Sequence, residues 1–208
     1  MQVTRKVITI AITTIFLALS SVANAQLKLH MVGFKVAYNT SGVNFNPKQE
    51  QVKTLTTKEN FSIEYIYYHD LWQTMPYFGF QIGLSSQEQG YSIGDIETHL
   101  KVYEMPFVSQ FHIDFWQMRL LINLGGFVGY RSEKSDGFTD TDYKTDYGFI
   151  AGAGFAFILK PFELHIEGNY QYSLSSLYDA KRNSSTVLEF AYPHQLLLSA
   201  AIYIHLNK

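Results

Sequence analysis

The chain has 208 residues, with 16 Lys and Arg against 18 Asp and Glu, a formal net charge of −2. That balance supplies no basic surface for a nucleic acid, so no nucleic-acid partner is expected. The absence of cysteine excludes disulfide staples, thiolate metal sites and thiol redox chemistry.

The N-terminus MQVTRKVITIAITTIFLALSSVANAQ places Arg5 and Lys6 before an uncharged apolar run from Val7 to Leu19, then small residues ending in Ala23-Asn24-Ala25. Basic end, short apolar core and A-x-A site are the order of a secretory signal, and the run is short for a membrane helix, which needs about 20 apolar residues. Residues 1–25 are therefore expected to be cleaved and residues 26–208 to form one exported domain of net charge −4. No later segment is long and apolar enough to be a membrane helix.

Eight segments of the exported part carry apolar residues at period two, the pattern of strands with one apolar face. In the first, Val32, Phe34, Val36 and Tyr38 alternate with Gly33, Lys35, Ala37 and Asn39. The second sets Phe61, Ile63, Tyr65 and Tyr67 against Ser62, Glu64 and Asp70; the third sets Phe78, Phe80, Ile82 and Leu84 against Gln81, Gly83 and Ser85. The fourth, ETHLKVYEMPFVSQF, changes parity, since Leu100 and Val102 give way to Tyr103, Met105 and Phe107. A bulge near Val102 would explain this, because one extra residue inverts every later side chain, and Pro106 would fit such an irregularity. The fifth runs from Trp116 to Arg131, with Leu120, Ile122 and Leu124 opposite Arg119 and Asn123. The sixth, YGFIAGAGFAFIL, is rich in glycine and alanine; the seventh, ELHIEGNYQY, opposes Leu164, Ile166 and Tyr170 to Glu163, His165 and Glu167. The eighth, QLLLSAAIYIHLN, opposes Leu196, Leu198 and Ile202 to Ser199, Tyr203 and His205.

Long and short connections alternate. TSGVNFNPKQEQVKTLTTKE, EQGYSIGDI, SEKSDGFTDTDYKT and SLYDAKRNSSTVLEFAYP are long; LWQTM, HID and Lys160-Pro161 are short. An up-and-down barrel collects the long ones at one end, as in outer-membrane barrels. Trp116, Tyr130, Tyr170, Tyr172, Tyr65 and Tyr67, near strand ends, suit interfacial girdles. The expected fold is all-β: an eight-stranded antiparallel up-and-down transmembrane barrel with apolar side chains towards lipid and a side-chain-filled interior. The alternative is a soluble lipocalin-like barrel with an apolar interior.

Several stretches resemble the small PorT-like outer-membrane barrels of Bacteroidetes. These are GFKVAYNTSGVNF, FGFQIGLSSQEQGYSI, KVYEMPFVSQF with Tyr103-Glu104-Met105-Pro106, LLINLGGFVGY and DYGFIAGAGFAF. The C-terminal Tyr203-Ile-His-Leu-Asn-Lys208 departs from the terminal aromatic of many outer-membrane barrels. The resemblance implies a barrel in the outer membrane of a Gram-negative bacterium, and one branch of the group is tied to type IX secretion.

Candidate chemistry is sparse. Lys35, Glu64, Glu104, Arg119, Arg131, Glu163, His165 and Glu167 fall on polar faces and are expected to form a structural lumenal network, since a buried charge must find a partner. Glu163, His165 and Glu167 form the sharpest constellation for a metal or proton-transfer site, but i, i+2 neighbours stand nearly 7 Å apart on a strand, from about 3.4 Å rise per residue, so metal ligation would need help from adjacent strands. Asp136, Asp140, Asp142 and Asp146 could hold a divalent cation in one loop, yet they lack EF-hand spacing. Rim chemistry would draw on His194, Ser199, His205, or Asp70 with His69; no G-x-S-x-G or H-E-x-x-H occurs. Met31, Met75, Met105 and Met118 are scattered and form no cofactor box. The expectation is a non-enzymatic protein without cofactor, with both termini periplasmic. Its partners would be outer-membrane lipid and, through loops 41–58, 89–96, 132–144 and 176–192, envelope proteins or surface glycans. A narrow solute pore and a lipid-modifying rim enzyme stand as alternatives.

Overall fold

Alternation turns each segment into a strand. The computed structural model describes residues 29–69, 77–181 and 188–206. Its elements are β1 (Leu29–Asn46), β2 (Val52–His69), β3 (Tyr77–Ile93), β4 (Ile96–Phe115), β5 (Met118–Lys134), β6 (Thr145–Leu159), β7 (Phe162–Ser173) and β8 (Phe190–His205). Each strand pairs antiparallel with the next, and β8 closes on β1 from Met31↔His205 to Asn46↔Phe190, leaving no free sheet edge. The expected leader, Asp70 and the LWQTM turn lie outside the described residues.

The apolar set points outward on every strand. Phe34, Ile63, Leu84, Phe107, Ile122, Phe149, Ile166 and Leu198 are exposed, with Leu84 at 65% and Phe149 at 63%. No charge stands on this face between Tyr65 and Tyr67 at the end carrying the two chain ends and Tyr38, Tyr103, Tyr130, Tyr147 and Tyr170 towards the other. On β8 the band runs from Leu196 to Ile204. At about 3.4 Å per residue and a tilt near 45° it is roughly 20 Å tall, close to the ~25 Å apolar band of a membrane barrel. Inside lie Lys35, Glu64, Gln81, Gln110, Arg119, Asn123, His165, Glu167 and Gln195, all buried. Oil outside and polar groups inside is the arrangement a bilayer demands, and it is the reverse of a lipocalin-like interior.

Two expectations about the connections change. Segments 41–58 and 89–96 are largely strand: β1 and β2 meet across residues 47–51, and β3 and β4 across Gly94 and Asp95. Strands this long outrun the membrane and stand in water on both faces, so no apolar periodicity marks their ends. Gly94, with φ 61°, supplies the left-handed conformation of its tight turn, and its N–H donates to the Gln51 carbonyl (3.1 Å), tying the two hairpins together. The tight β4–β5 turn falls at Trp116-Gln117, not at His112-Ile113-Asp114. Trp116, 92% exposed, thus stands on a turn tip, where an indole can sit in the headgroup zone.

The bulge is real but lies on β5. Lys101 pairs with Glu133 and Val102 with Arg131, so Ser132 is the extra residue. Consequently the inward face of β5 passes from Arg131 to Lys134, while β4 keeps its parity throughout. Leu100 and Val102 point inward with Glu104; they are apolar because they help seal the mouth. Pro106 sits where β3 and β4 form no pairs between Ile82↔Phe107 and Ser85↔Glu104, so its missing N–H breaks no bond there.

The β2–β3 ladder also lapses, between Thr54↔Tyr91 and Phe61↔Ser86. Side chains replace it: Asn39 Nδ2 and Thr57 Oγ1 donate to the Glu88 carbonyl (2.9 and 2.6 Å), the Glu88 N–H donates to Asn60 Oδ1 (2.8 Å), and the Gly90 N–H donates to Ser41 Oγ (2.6 Å). The Asn and Thr content of this stretch thereby keeps buried backbone groups satisfied.

Candidate functional site

The barrel interior holds two charge layers and an apolar seal. In the lower layer, nearer the chain ends, Lys35 on β1 lies 2.9 Å from Glu64 on β2 and 3.1 Å from Glu167 on β7. Arg119 on β5 lies 3.0 Å from Glu163 and 3.2 Å from Asp114, with its guanidinium 4.9 Å from the Tyr68 ring centre. His165 stands between Glu163 (3.3 Å) and Glu167 (3.4 Å), and His205 contacts Glu163 (2.9 Å). Amides complete the shell: Asn123 and Asn169 donate to Glu167 (3.2 and 3.0 Å), and Gln81 donates to Glu64, which also accepts from the Tyr203 hydroxyl.

Glycines make this packing possible. Built on the Gly33 backbone, a Cβ would lie 2.2 Å from the Tyr203 ring; at Gly79 it would lie 2.3 Å from the Tyr68 ring. Both tyrosines lie against the bare inner wall, and their rings pack 4.4 Å from His165 and His112. Lys35, Glu64, Asn123, Glu167 and Ser199 surround an internal cavity of ≈50 Å³, room for a few waters.

The upper layer centres on Arg131, which is fully buried. It pairs with Asp146 (2.9 Å) and donates to the carbonyls of Tyr143 (3.0 Å), Thr145 (3.0 Å), Ser176 (3.1 Å) and Ser175 (3.4 Å). Above it, Leu177 and Tyr178 fold over the mouth and pack with Val43, Tyr91, Leu100, Val102 and Ala191. Backbone bonds hold this strap: Leu177 N–H to Ala191 O (2.8 Å), Tyr143 N–H to Leu177 O (2.9 Å) and Asp179 N–H to Thr141 O (2.8 Å).

The eight lumenal residues named from sequence all line the interior, but not as one network. Arg131 takes Asp146 as its partner rather than Glu104, which binds Gln89 (3.2 Å). The loop carboxylates disperse as well. Asp146 enters the lumen; Asp142 pairs with Lys134 (3.0 Å) and accepts the Thr139 N–H (2.8 Å); Asp136 accepts from Thr98 (3.3 Å). Burial opposes ionisation of Asp142, yet the Thr139 N–H and Lys134 hold its carboxyl below the usual range. Among the described residues no three His, Asp or Glu side chains are grouped to hold a metal ion, the Glu163, His165 and Glu167 set included.

Nor do the rim candidates converge. His194 faces outward near the mouth beside Tyr170, Ser199 lies on the inner wall and donates to the Glu167 carbonyl (3.4 Å), and His205 sits at the opposite end on Glu163. His69 is near the end of β2, with Asp70 outside the described residues. The sequence reading missed Asp114 and the amide layer of Gln81, Gln87, Gln110, Gln171 and Gln195, and it placed Asp146 in a loop rather than in the lumen. Strand parity marks the amides as inward, but an uncharged amide carries no chemical signature of its own.

A closed, eight-stranded antiparallel barrel with an apolar exterior is the class of protein these features define. No protein-family model matches the chain, and no curated protein matches it in sequence. Among solved structures it is similar to Neisserial surface protein A, at 14% identity and TM-score 0.51, over 84% of this chain and 96% of that one. It is also similar to the outer-membrane protein OprG of Pseudomonas aeruginosa (10% identity, TM-score 0.49, 88% and 98% covered) and to Ail, the attachment invasion locus protein of Yersinia pestis (18%, 0.44, 85% and 100%). At these identities the likeness is one of fold.

Proposed function

We propose that this chain is an outer-membrane barrel of a Gram-negative bacterium, termini in the periplasm, and that its role is non-catalytic binding at its outer crown. The single observation carrying this reading is the sealed interior. Most lumenal charges are paired with one another, and among the described residues Leu177 and Tyr178 pack across the mouth, which argues against an open channel and against lumenal chemistry on a large substrate. The resemblance to PorT-like barrels, through Tyr103-Glu104-Met105-Pro106, supports the location and a place among envelope assemblies, of which type IX secretion is one.

The crown favours a protein partner over a glycan. Ile93 and Ile96 flank the tight β3–β4 turn, with Ile96 68% exposed. Ile96 lies seven residues beyond Tyr103 on β4, hence on the order of 15 Å outside the tyrosine belt. Apolar side chains held in water on a rigid hairpin suit a protein contact. A photo-crosslinking residue in place of Ile96 is expected to give a discrete protein adduct in cells, lost on Ile93→Asp while the folded barrel persists. Adducts to polysaccharide alone, or none, would contradict a protein partner.

A further inference from the structure

The upper charge layer is incomplete. Glu104↔Gly129 and Gly129↔Asp146 are successive cross-strand pairs, so Glu104 on β4 and Asp146 on β6 flank Gly129 at one level of the inner wall. Both carboxylates are 2% exposed. One oxygen of each is engaged: Glu104 Oε1 accepts from Gln89 (3.2 Å), and Asp146 Oδ1 is held by Arg131 (2.9 Å) and Ser175 (2.9 Å). The other two, Glu104 Oε2 and Asp146 Oδ2, have no hydrogen-bond partner among the described residues; nor does the buried Gln89 Oε1. Gln195 lies close to Glu104, but its Nε2 is turned to Gln87 and Gln171, to which it donates. Gly129 adds no side chain between the two acids, and a Cβ there would lie 3.0 Å from Glu104 Cγ.

Three buried, unpartnered oxygen acceptors need a donor or a cation, because an unmet carboxylate in a low-dielectric interior is costly. Arg131 forms its ion pair with Asp146 rather than with Glu104. We propose that Glu104, Asp146 and Gln89 hold a hard, oxygen-seeking metal cation of the calcium type in the upper lumen, with water completing its shell. Calcium accepts mixed carboxylate, amide and water oxygens in flexible geometry, whereas magnesium demands a near-ideal octahedron. Such an ion would brace β4 against β6 just below the Arg131 layer and the mouth seal. The dispersed loop acids Asp136, Asp140 and Asp142 have no part in it.

The test uses the full exported chain folded in detergent, stripped with a chelator and titrated with CaCl2 alone. Calorimetry is expected to show one site, filling at about 0.1–1 mM as in extracellular calcium modules. The temperature at which the unboiled, folded gel band converts to the unfolded one is expected to rise saturably with calcium. Glu104→Gln should abolish both responses while its chelated form keeps the folded band; Asp140→Asn should preserve both. Absence of a calorimetric site in wild type would overturn the proposal, as would a calcium response that survives in Glu104→Gln.

Discussion

Lys35→Met is expected to lower the temperature at which the folded band converts by on the order of 10 °C. The ammonium bridges β1 to β2 and β7 through Glu64 and Glu167, at 2.9 and 3.1 Å. Methionine fills much of the volume but leaves two buried carboxylates without their cation. Removing one partner from a buried ion pair costs about 3–5 kcal/mol, and each kcal/mol moves the midpoint of a domain of 150–250 residues by about 2–4 °C. The triple replacement Lys35→Met, Glu64→Gln, Glu167→Gln is the control. It keeps acceptor oxygens for Tyr203 and Asn123 but removes the charges, so most of the stability should return. If Lys35→Met alone converts at the wild-type temperature, the lower layer does not hold the wall together.

A second large effect is expected at Arg131. Its guanidinium contacts Asp146 and four carbonyls, thereby pinning the start of β6 and the strap carrying Leu177 and Tyr178. Arg131→Met orphans all of them, at a cost of about 3–5 kcal/mol. The penalty falls on the strap, whose opening leaves the strand ladders intact, so the transition is local. At 1.4 kcal/mol per factor of ten, the open population should grow by at least about 100-fold. Trypsin reports this at Lys181, which lies just beyond the strap. Cleavage there should accelerate strongly in Arg131→Met while the barrel keeps its folded migration, and planar bilayers should gain conductance that wild type lacks. Unchanged cleavage would mean that the apolar seal closes the mouth without Arg131.

How much of this was legible depended on whether the two faces of a strand meet different surroundings. On β7 and β8 they do, so Glu163, His165 and Glu167 were readable as inward beside Leu164 and Ile166. Lys35, Glu64 and Arg119 followed by the same rule. Where water bathes both faces, as in hairpin 41–58, period two vanishes and strand reads as loop. At the mouth the rule inverts, because Leu100 and Val102 are apolar yet inward, which mimicked a parity change on β4 and hid the extra Ser132 on β5. Asp146 was placed with the loop acids because nothing in its neighbours reveals that it pairs across from Gly129 and faces Arg131. Which cation meets which carboxylate is set by barrel register, and register is not written in any single strand.

The central claim is that the apolar face meets lipid around the whole wall. The chain has no cysteine, so Phe34→Cys, Ile122→Cys, Ile166→Cys and Leu198→Cys can each be labelled singly with a fluorophore after folding into vesicles of brominated lipid. Strong quenching at all four positions is the predicted result, since these side chains lie on β1, β5, β7 and β8 within the uncharged band. Water-like emission at all four, with the protein remaining soluble in the absence of lipid or detergent, would contradict it.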